Sequence, residues 1–447
     1  MSTPSPPRHS STILRLAGPL IVSNLATAGM MTADTLMSGQ LGAQALAAVA
    51  VGSSYVSLFY IAGLGMLMAL SPTIAHVYGA GRNDEVGAFF RQALWLALGV
   101  AAVVTVALAC VHPVLRLIGT PAEVAAVAAR YVYAVAFGMP AMFCFLALRF
   151  SSEGIGWTRP ILFTAVISLL ANIGLNWVFM FGKFGLPALG AVGTGVATAC
   201  VHWLVFGFMW QYVRRHRIYR PYAPLSRFER ADPARLREIL RLGVPISGSV
   251  LAEGGLFSAA ALILGTFGAT IIAAHAIAIS YASLMFMVPL SLHSATTIHV
   301  GHLAGANRRA EARRAGWVGM GMCTGIMVVS AIVLVIARHG IASLYSADEA
   351  VVALAATLLL YAAVFQVADG LQVGAAGALR GFKDATVPMA LNVVAYWLVG
   401  FPLAWGLGVA AGHGAPGVWI GLIVALFACA ALLSVRYHLI TRDGVAA

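Results

Sequence analysis

Three carboxylates stand inside stretches that are otherwise apolar or small: Asp34, Glu253 and Asp369. The other twelve of the 15 Asp and Glu fit loops or helix ends. An ionised acid at the centre of a membrane helix costs about 2.5–3.5 kcal/mol on insertion scales, so each needs a partner, a proton or a task. No Lys or Arg is expected at the depth of any of the three, which favours titration or the binding of a cation. The stretch Ala171-Asn-Ile-Gly-Leu-Asn176 puts Asn172 and Asn176 at i and i+4, on one helix face. With Asp34 and Thr198 they can form an oxygen-rich pocket suited to a proton or a hard monovalent cation. Taken alone, two such amides also serve as interhelical glue. Glu253 is followed by two glycines, and Asp369 by Gly370 and Gln372, where a backbone can be approached closely. The competing reading for each acid is a neutral or hydrogen-bonded carboxyl kept for packing.

The elements that position these groups follow from composition. The 447 residues are 61% hydrophobic and 9% charged, against about 25% charged in soluble domains. Apolar runs of membrane length fall at 12–37, 44–71, 90–112, 130–149, 160–181 and 187–212, then at 241–265, 270–298, 316–337, 350–374, 386–410 and 415–436. The fold class is therefore an all-α polytopic membrane protein with twelve transmembrane helices. The polar, Pro-rich segment before Ser11 has no small-residue cleavage site in the expected place, so the first span is read as retained. With both termini cytoplasmic, the outer loops hold Arg116, Arg130, Lys183 and Arg338, leaving 23 of the 27 Lys and Arg inside. Nine of those lie from Arg214 to Arg241, between the sixth and seventh spans. The net charge of +12 is thus a topology signal that also favours anionic lipid headgroups. Nucleic acid is not an expected partner, since stacking aromatics are not interleaved with the basic residues. Five cysteines, scattered and never in C-x-x-C spacing, argue against disulfides or a thiolate metal site.

The chain repeats itself. At an offset of 226, Leu16-Ala-Gly-Pro-Leu20 falls on Leu242-Gly-Val-Pro-Ile246, and His76-Val-Tyr-Gly-Ala-Gly-Arg82 on His302-Leu-Ala-Gly-Ala-Asn-Arg308. Six spans return the chain to its starting side, so two parallel six-helix bundles follow, related by an axis along the membrane normal. The expected division is 1–212 for the first lobe, 213–240 for a basic cytoplasmic linker and 241–447 for the second lobe. With the offset becoming 228 later in the chain, where Tyr133 falls on Tyr361, the repeat places Ala260, Thr27 and Ala141 opposite Asp34, Glu253 and Asp369, so none of the three acids is demanded by both halves.

The run from Asp34-Thr-Leu-Met-Ser-Gly-Gln-Leu-Gly to Val-Gly-Ser-Ser54, with Pro19 before it, resembles the opening of the multidrug and toxic compound extrusion (MATE) family. Glu253 after Gly-Val-Pro-Ile, and Ala368-Asp-Gly-Leu-Gln through Arg-Gly-Phe-Lys-Asp384, are similar to its NorM-type bacterial branch. The resemblance implies a V-shaped pair of lobes around a central cavity, exporting cationic and aromatic drugs against protons or sodium ions. It implies an amino-lobe ion site at Asp34, Asn172, Asn176 and Thr198, and a carboxy-lobe site at Glu253 and Asp369 open to a monovalent cation. Ser54 matches a substrate-contacting position, beside Asp34, Glu253 and Asp369. No cofactor, catalytic residue or resident metal is implied, and a monomer in the bacterial inner membrane is expected. Phe365 stands where some sodium-coupled members carry Tyr, and Ala276 where some carry Gln.

His293, His299 and His302 look like a metal cluster, but His302 repeats His76 beside an inner loop, so packing and helix-end roles are expected. Met and aromatic side chains line lipid or core, and soft Met surfaces also suit promiscuous cavities. Pro19, Pro140 and Pro289 interrupt spans. A drug exporter fits best. A flippase for lipid-linked sugars is the alternative, though it calls for a basic cavity where the interior charges here are acidic. No nucleophile, base and oxyanion donor converge as an enzyme requires.

Overall fold

The computed structural model describes residues 9–226 and 228–442. Among the described residues, twelve helices are long and apolar enough to cross a bilayer. They are α1 (His9–Gly39), α2 (Gln44–Gly79), α3 (Asn83–Ala109), α4 (Ala122–Gly154), α5 (Arg159–Phe181) and α6 (Ala191–Arg215), then α7 (Pro233–Gly265), α8 (Ala269–Gly305), α9 (Arg309–Tyr345), α10 (Glu349–Gly381), α11 (Thr386–Ala410) and α12 (Gly414–Arg442). No strand occurs among the described residues. Several helices begin or end up to two turns beyond the apolar runs, as α3 does with Asp84 and Glu85 in its first turn. Hydropathy reads only the hydrocarbon-facing part, whereas the backbone ladder continues into polar residues, here with acids at the positive helix end.

The internal repeat is visible in the backbone. Gly42 and Gly268, 226 residues apart, precede α2 and α8 with φ of 100° and 113°. Gly81 and Asn307, at the same offset, take φ of 73° and 60° in the turns into α3 and α9. Both turns need a left-handed residue, which Gly adopts freely and Asn tolerates. The following ion pairs match as well: Arg82 with Glu85 at 3.1 Å, and Arg308 with Glu311 at 2.5 Å.

The chain separates into two compact units, one of residues 22–247 and one that joins residues 9–21 to the chain from Gly248 onward. The sequence segments 1–212, 213–240 and 241–447 fall differently on these units, because α1 and α7 each change unit just after their repeated proline. Ile13, Leu16 and Ala17 are buried against Leu292, Ala295 and Ile298 of α8. Ser247 donates to the Ala62 carbonyl at 2.8 Å, and a Cβ on Gly243 would meet the Met66 carbonyl. The basic segment belongs to the first unit: Arg91 holds Glu229 at 2.5 Å, Gln92 donates to the Arg230 carbonyl and Trp95 to that of Glu229.

Candidate functional site

The first unit brings together three of the four residues of the expected amino-lobe site. Asn176 Nδ2 donates to Asp34 Oδ1 at 2.6 Å and to Asn172 Oδ1 at 3.2 Å. Asp34 lies near the end of α1, and both amides lie on one face of α5, fully buried as their spacing requires. The 2.6 Å contact has the length of a charge-assisted hydrogen bond. Asn172 also faces the Asp34 carboxylate, and Asn176 Oδ1 has no hydrogen-bond partner, so an acceptor stays open beside it. Thr198 of α6 donates its hydroxyl to Thr194 one turn back, at 2.9 Å. It makes no hydrogen bond to Asp34. Ser54 of α2 likewise bonds to Ala50 of its own helix at 2.8 Å and is exposed.

Tyr131 of α4 was not among the expected residues. Its phenol lies within electrostatic reach of Asp34, and its ring fills the space that a Cβ on Gly52 would need, at 2.6 Å. Only a glycine at position 52 lets α2 approach this closely. A polar aromatic in a long apolar helix carries no helical-spacing signal, which is why the sequence passed over it.

The second unit holds Glu253 on α7 and Asp369 on α10. The two carboxylates act on each other electrostatically, and neither has a hydrogen bond or an ion pair within 4 Å to a described residue. Asp369 is buried. Its helix closes against α9, where a Cβ on Gly370 would sit 2.8 Å from Met327 and 2.9 Å from the Cys323 carbonyl. One turn away from the acids, Phe257 and Phe365 meet edge to face at 5.7 Å, and Phe365 meets Trp419 at 5.9 Å.

None of the three acids has an ion pair with a Lys or Arg among the described residues, and the basic group that influences Glu253 from farther off is Arg380. Arg380, one residue from the end of α10, is electrostatically coupled to Glu253 and lies 3.1 Å from His293 Nε2. His293 Nδ1 contacts the Val373 carbonyl at 2.8 Å, so its ring is locked between backbone and guanidinium. His299 pairs instead with His9, at 3.0 Å. A second buried acid, Glu153, is held by Arg149 at 3.0 Å in an i,i+4 pair whose spacing was readable.

Tyr396 of α11 is a further unexpected member. Fully buried, it lies within electrostatic reach of Glu253 and Asp369, with the Cys429 thiol beside its hydroxyl. Nearby, Cys429 Sγ contacts Asn392 Oδ1 at 3.1 Å. Asn392 and Tyr396 stand at i and i+4, the same signal that marked Asn172 and Asn176. The helix widens into π turns over 394–400, a geometry frequent at functional positions. Trp397 Nε1 donates to the Ala252 carbonyl at 3.1 Å, fixing this turn beside Glu253.

Twelve membrane-length helices in two repeats, each enclosing acids with polar neighbours, define a polytopic membrane transport protein. The MatE family model matches residues 19–178 and 245–405, once in each half. The chain is 37% identical over 441 residues to the multidrug resistance protein NorM of Vibrio vulnificus, covering 98% of this chain and 97% of that one. It is 40% identical over 430 residues to the probable multidrug resistance protein NorM of Xanthomonas campestris pv. campestris, covering 96% and 93%. The solved structure of the eukaryotic MATE transporter AtDTX14 matches with a TM-score of 0.86 at 21% identity, over 98% of this chain and 99% of that one, a likeness of fold. The chain belongs to the MatE family and is a multi-pass membrane transporter, not an enzyme.

Proposed function

We propose that this transporter is a secondary active multidrug efflux antiporter that exports cationic and aromatic compounds in exchange for protons or sodium ions by alternating access. The observation that carries the reading is the Asp34 carboxylate, bonded to Asn176 at 2.6 Å beside an unsatisfied amide oxygen and with no basic residue bonded to it. Such a carboxylate can be filled by a proton or cation on one side of the membrane and emptied on the other. Protonated Asp34 is neutral and releases a cationic drug; deprotonated Asp34 attracts the next one. Drug and coupling ion therefore compete for one charge, and exchange follows from that competition. Glu253 and Asp369 form the second ion site, where Arg380 offsets part of the charge of Glu253 and leaves Asp369 the acid with less compensation.

Protons suffice as the coupling ion in this reading, because Phe365 offers no phenolic oxygen where a sodium ligand would stand. Thr198 and Ser54 contribute through their free lone pairs, to the ion site and to the drug surface respectively. The relatives named NorM support the drug spectrum, and the basic linker supports a bacterial inner-membrane placement with both termini cytoplasmic. The transporter works as a monomer and needs no cofactor. In sodium-free proteoliposomes, an imposed pH gradient should drive ethidium movement. Transport that appears only on adding sodium would replace the proton by sodium; none under either gradient would overturn the antiport reading.

A further inference from the structure

On the face of the first unit that carries the basic linker, α3, α4, α6 and the linker enclose a slot of about 450 Å³. No coupling or drug-site residue lines it. Its walls are aromatic: Trp203, Phe206 and Trp210 of α6 run down one side, with successive ring centroids 6.2 and 5.9 Å apart. Across from them stands Trp95 of α3, whose ring meets Phe228 of the linker at 5.9 Å. The side facing lipid is open, since Trp203 and Leu98 are both more than 40% exposed. At the polar end lies Arg91, 7% exposed, bonded to Glu229 and to the Ala223 carbonyl at 3.2 Å.

The stripe Trp203, Phe206, Trp210 continues at helical spacing to Arg214, which is exposed in the last turn of α6. Eleven residues separate Trp203 from Arg214, roughly 16 Å at 1.5 Å per residue. One leaflet contributes roughly 15 Å of hydrocarbon to the bilayer, so the stripe is one acyl chain long. Its charge is of one sign at the mouth. Glu229 is shared by Arg91 and Arg235, and Asp232 also faces Arg235, which makes that cluster neutral. Arg214 and Arg215 close α6 one turn beyond Trp210, and Arg217 and Arg220 follow in the chain. Tryptophan at this depth is the residue that bilayer interfaces favour.

We infer that the slot binds one anionic phospholipid of that leaflet, an acyl chain lying along Trp203, Phe206 and Trp210 and the phosphate on Arg214. The linker, stitched to α3, forms the roof that makes this a site and not part of the lipid annulus. Bound lipid bridges α6 and the linker, tying the linker's position to membrane composition.

Delipidated full-length protein in detergent, titrated with phosphatidylglycerol and phosphatidylcholine and read by native mass spectrometry, tests this. The first phosphatidylglycerol should bind several-fold more tightly than the first phosphatidylcholine. Arg214→Gln, an exposed change that leaves packing untouched, should lower phosphatidylglycerol affinity about fivefold and phosphatidylcholine affinity little. Trp203→Ala, also at an exposed position, should weaken both. Equal affinity for the two lipids, or no effect of either substitution, overturns the site. Displacement of the lipid by inorganic phosphate would show a phosphate site without an acyl slot. Displacement by ethidium would make the slot a drug site. Either displacement refutes the proposal.

Discussion

At the scale of single residues, the proposed exchange rests on how few groups surround each of the three acids. Asn176 is the donor that faces Asp34 at 2.6 Å, and a hydrogen bond to a charged group contributes about 1.5–3 kcal/mol. Asn176→Ala should therefore lower drug exchange about tenfold or more at normal expression, read as ethidium efflux from energised cells. Asp34→Asn and Asp369→Asn should each fold and insert, yet lose most efflux. Wild-type rates in both variants would remove these acids from the mechanism. Phe365→Tyr places a phenolic oxygen one turn from Asp369, and sodium should then stimulate transport that was sodium-independent. Phe365 is buried in an aromatic layer with Phe257 and Trp419, so melting temperature is the companion measurement.

Packing of whole helices depends on positions where no side chain fits. A Cβ on Gly374 of α10 would come 2.8 Å from the Met320 Cα, a backbone atom that cannot yield. Gly374→Val should cost about 1–3 kcal/mol of overpacking and lower the melting temperature in detergent. Gly321, with nothing within 4 Å of an added Cβ, is the control: Gly321→Ala should leave the melt unchanged. The linker is an element too, latched by Arg91 on Glu229 and Ala223. Arg91→Gln should cost about 1–2 kcal/mol, less than a fully broken buried pair because Arg235 still holds Glu229. Faster tryptic cleavage in the 214–230 segment, before any change in the membrane core, is the expected sign.

For the molecule as a whole, topology and energetics set the limits. One inward charge yields about 2.3 kcal/mol per 100 mV, so one proton at about 150 mV sustains a drug gradient of roughly 300-fold in electroneutral terms. Energised vesicles holding much steeper gradients would require more than one ion per drug. Cys110 is an exposed free thiol at the end of α3, on the face opposite the basic linker. A membrane-impermeant maleimide should label it in intact cells, and Cys110→Ser should abolish that labelling. Labelling only after lysis would invert the orientation.

Much of this protein is legible in its sequence, for a definite reason. Lipid is a uniform solvent that punishes every polar group, so twelve spans and the three odd acids stand out one residue at a time. The repeat was readable because turns with left-handed residues tolerate little else, as at Gly81 and Asn307. The Asn172 and Asn176 face followed from helical geometry, a purely local rule. Partnership did not. That Asp34 meets Asn176 while Thr198 turns to its own backbone, that Arg380 meets His293, and that Tyr131 and Tyr396 come within electrostatic reach of the acids all depend on how separate helices are spaced. The exchange of unit within α1 and α7 is of the same kind. Apolar periodicity specifies that a face is buried but not against which neighbour, because every apolar helix face is equally soluble in lipid. Only the close contacts permitted by small residues, formed between segments hundreds of residues apart, choose among them.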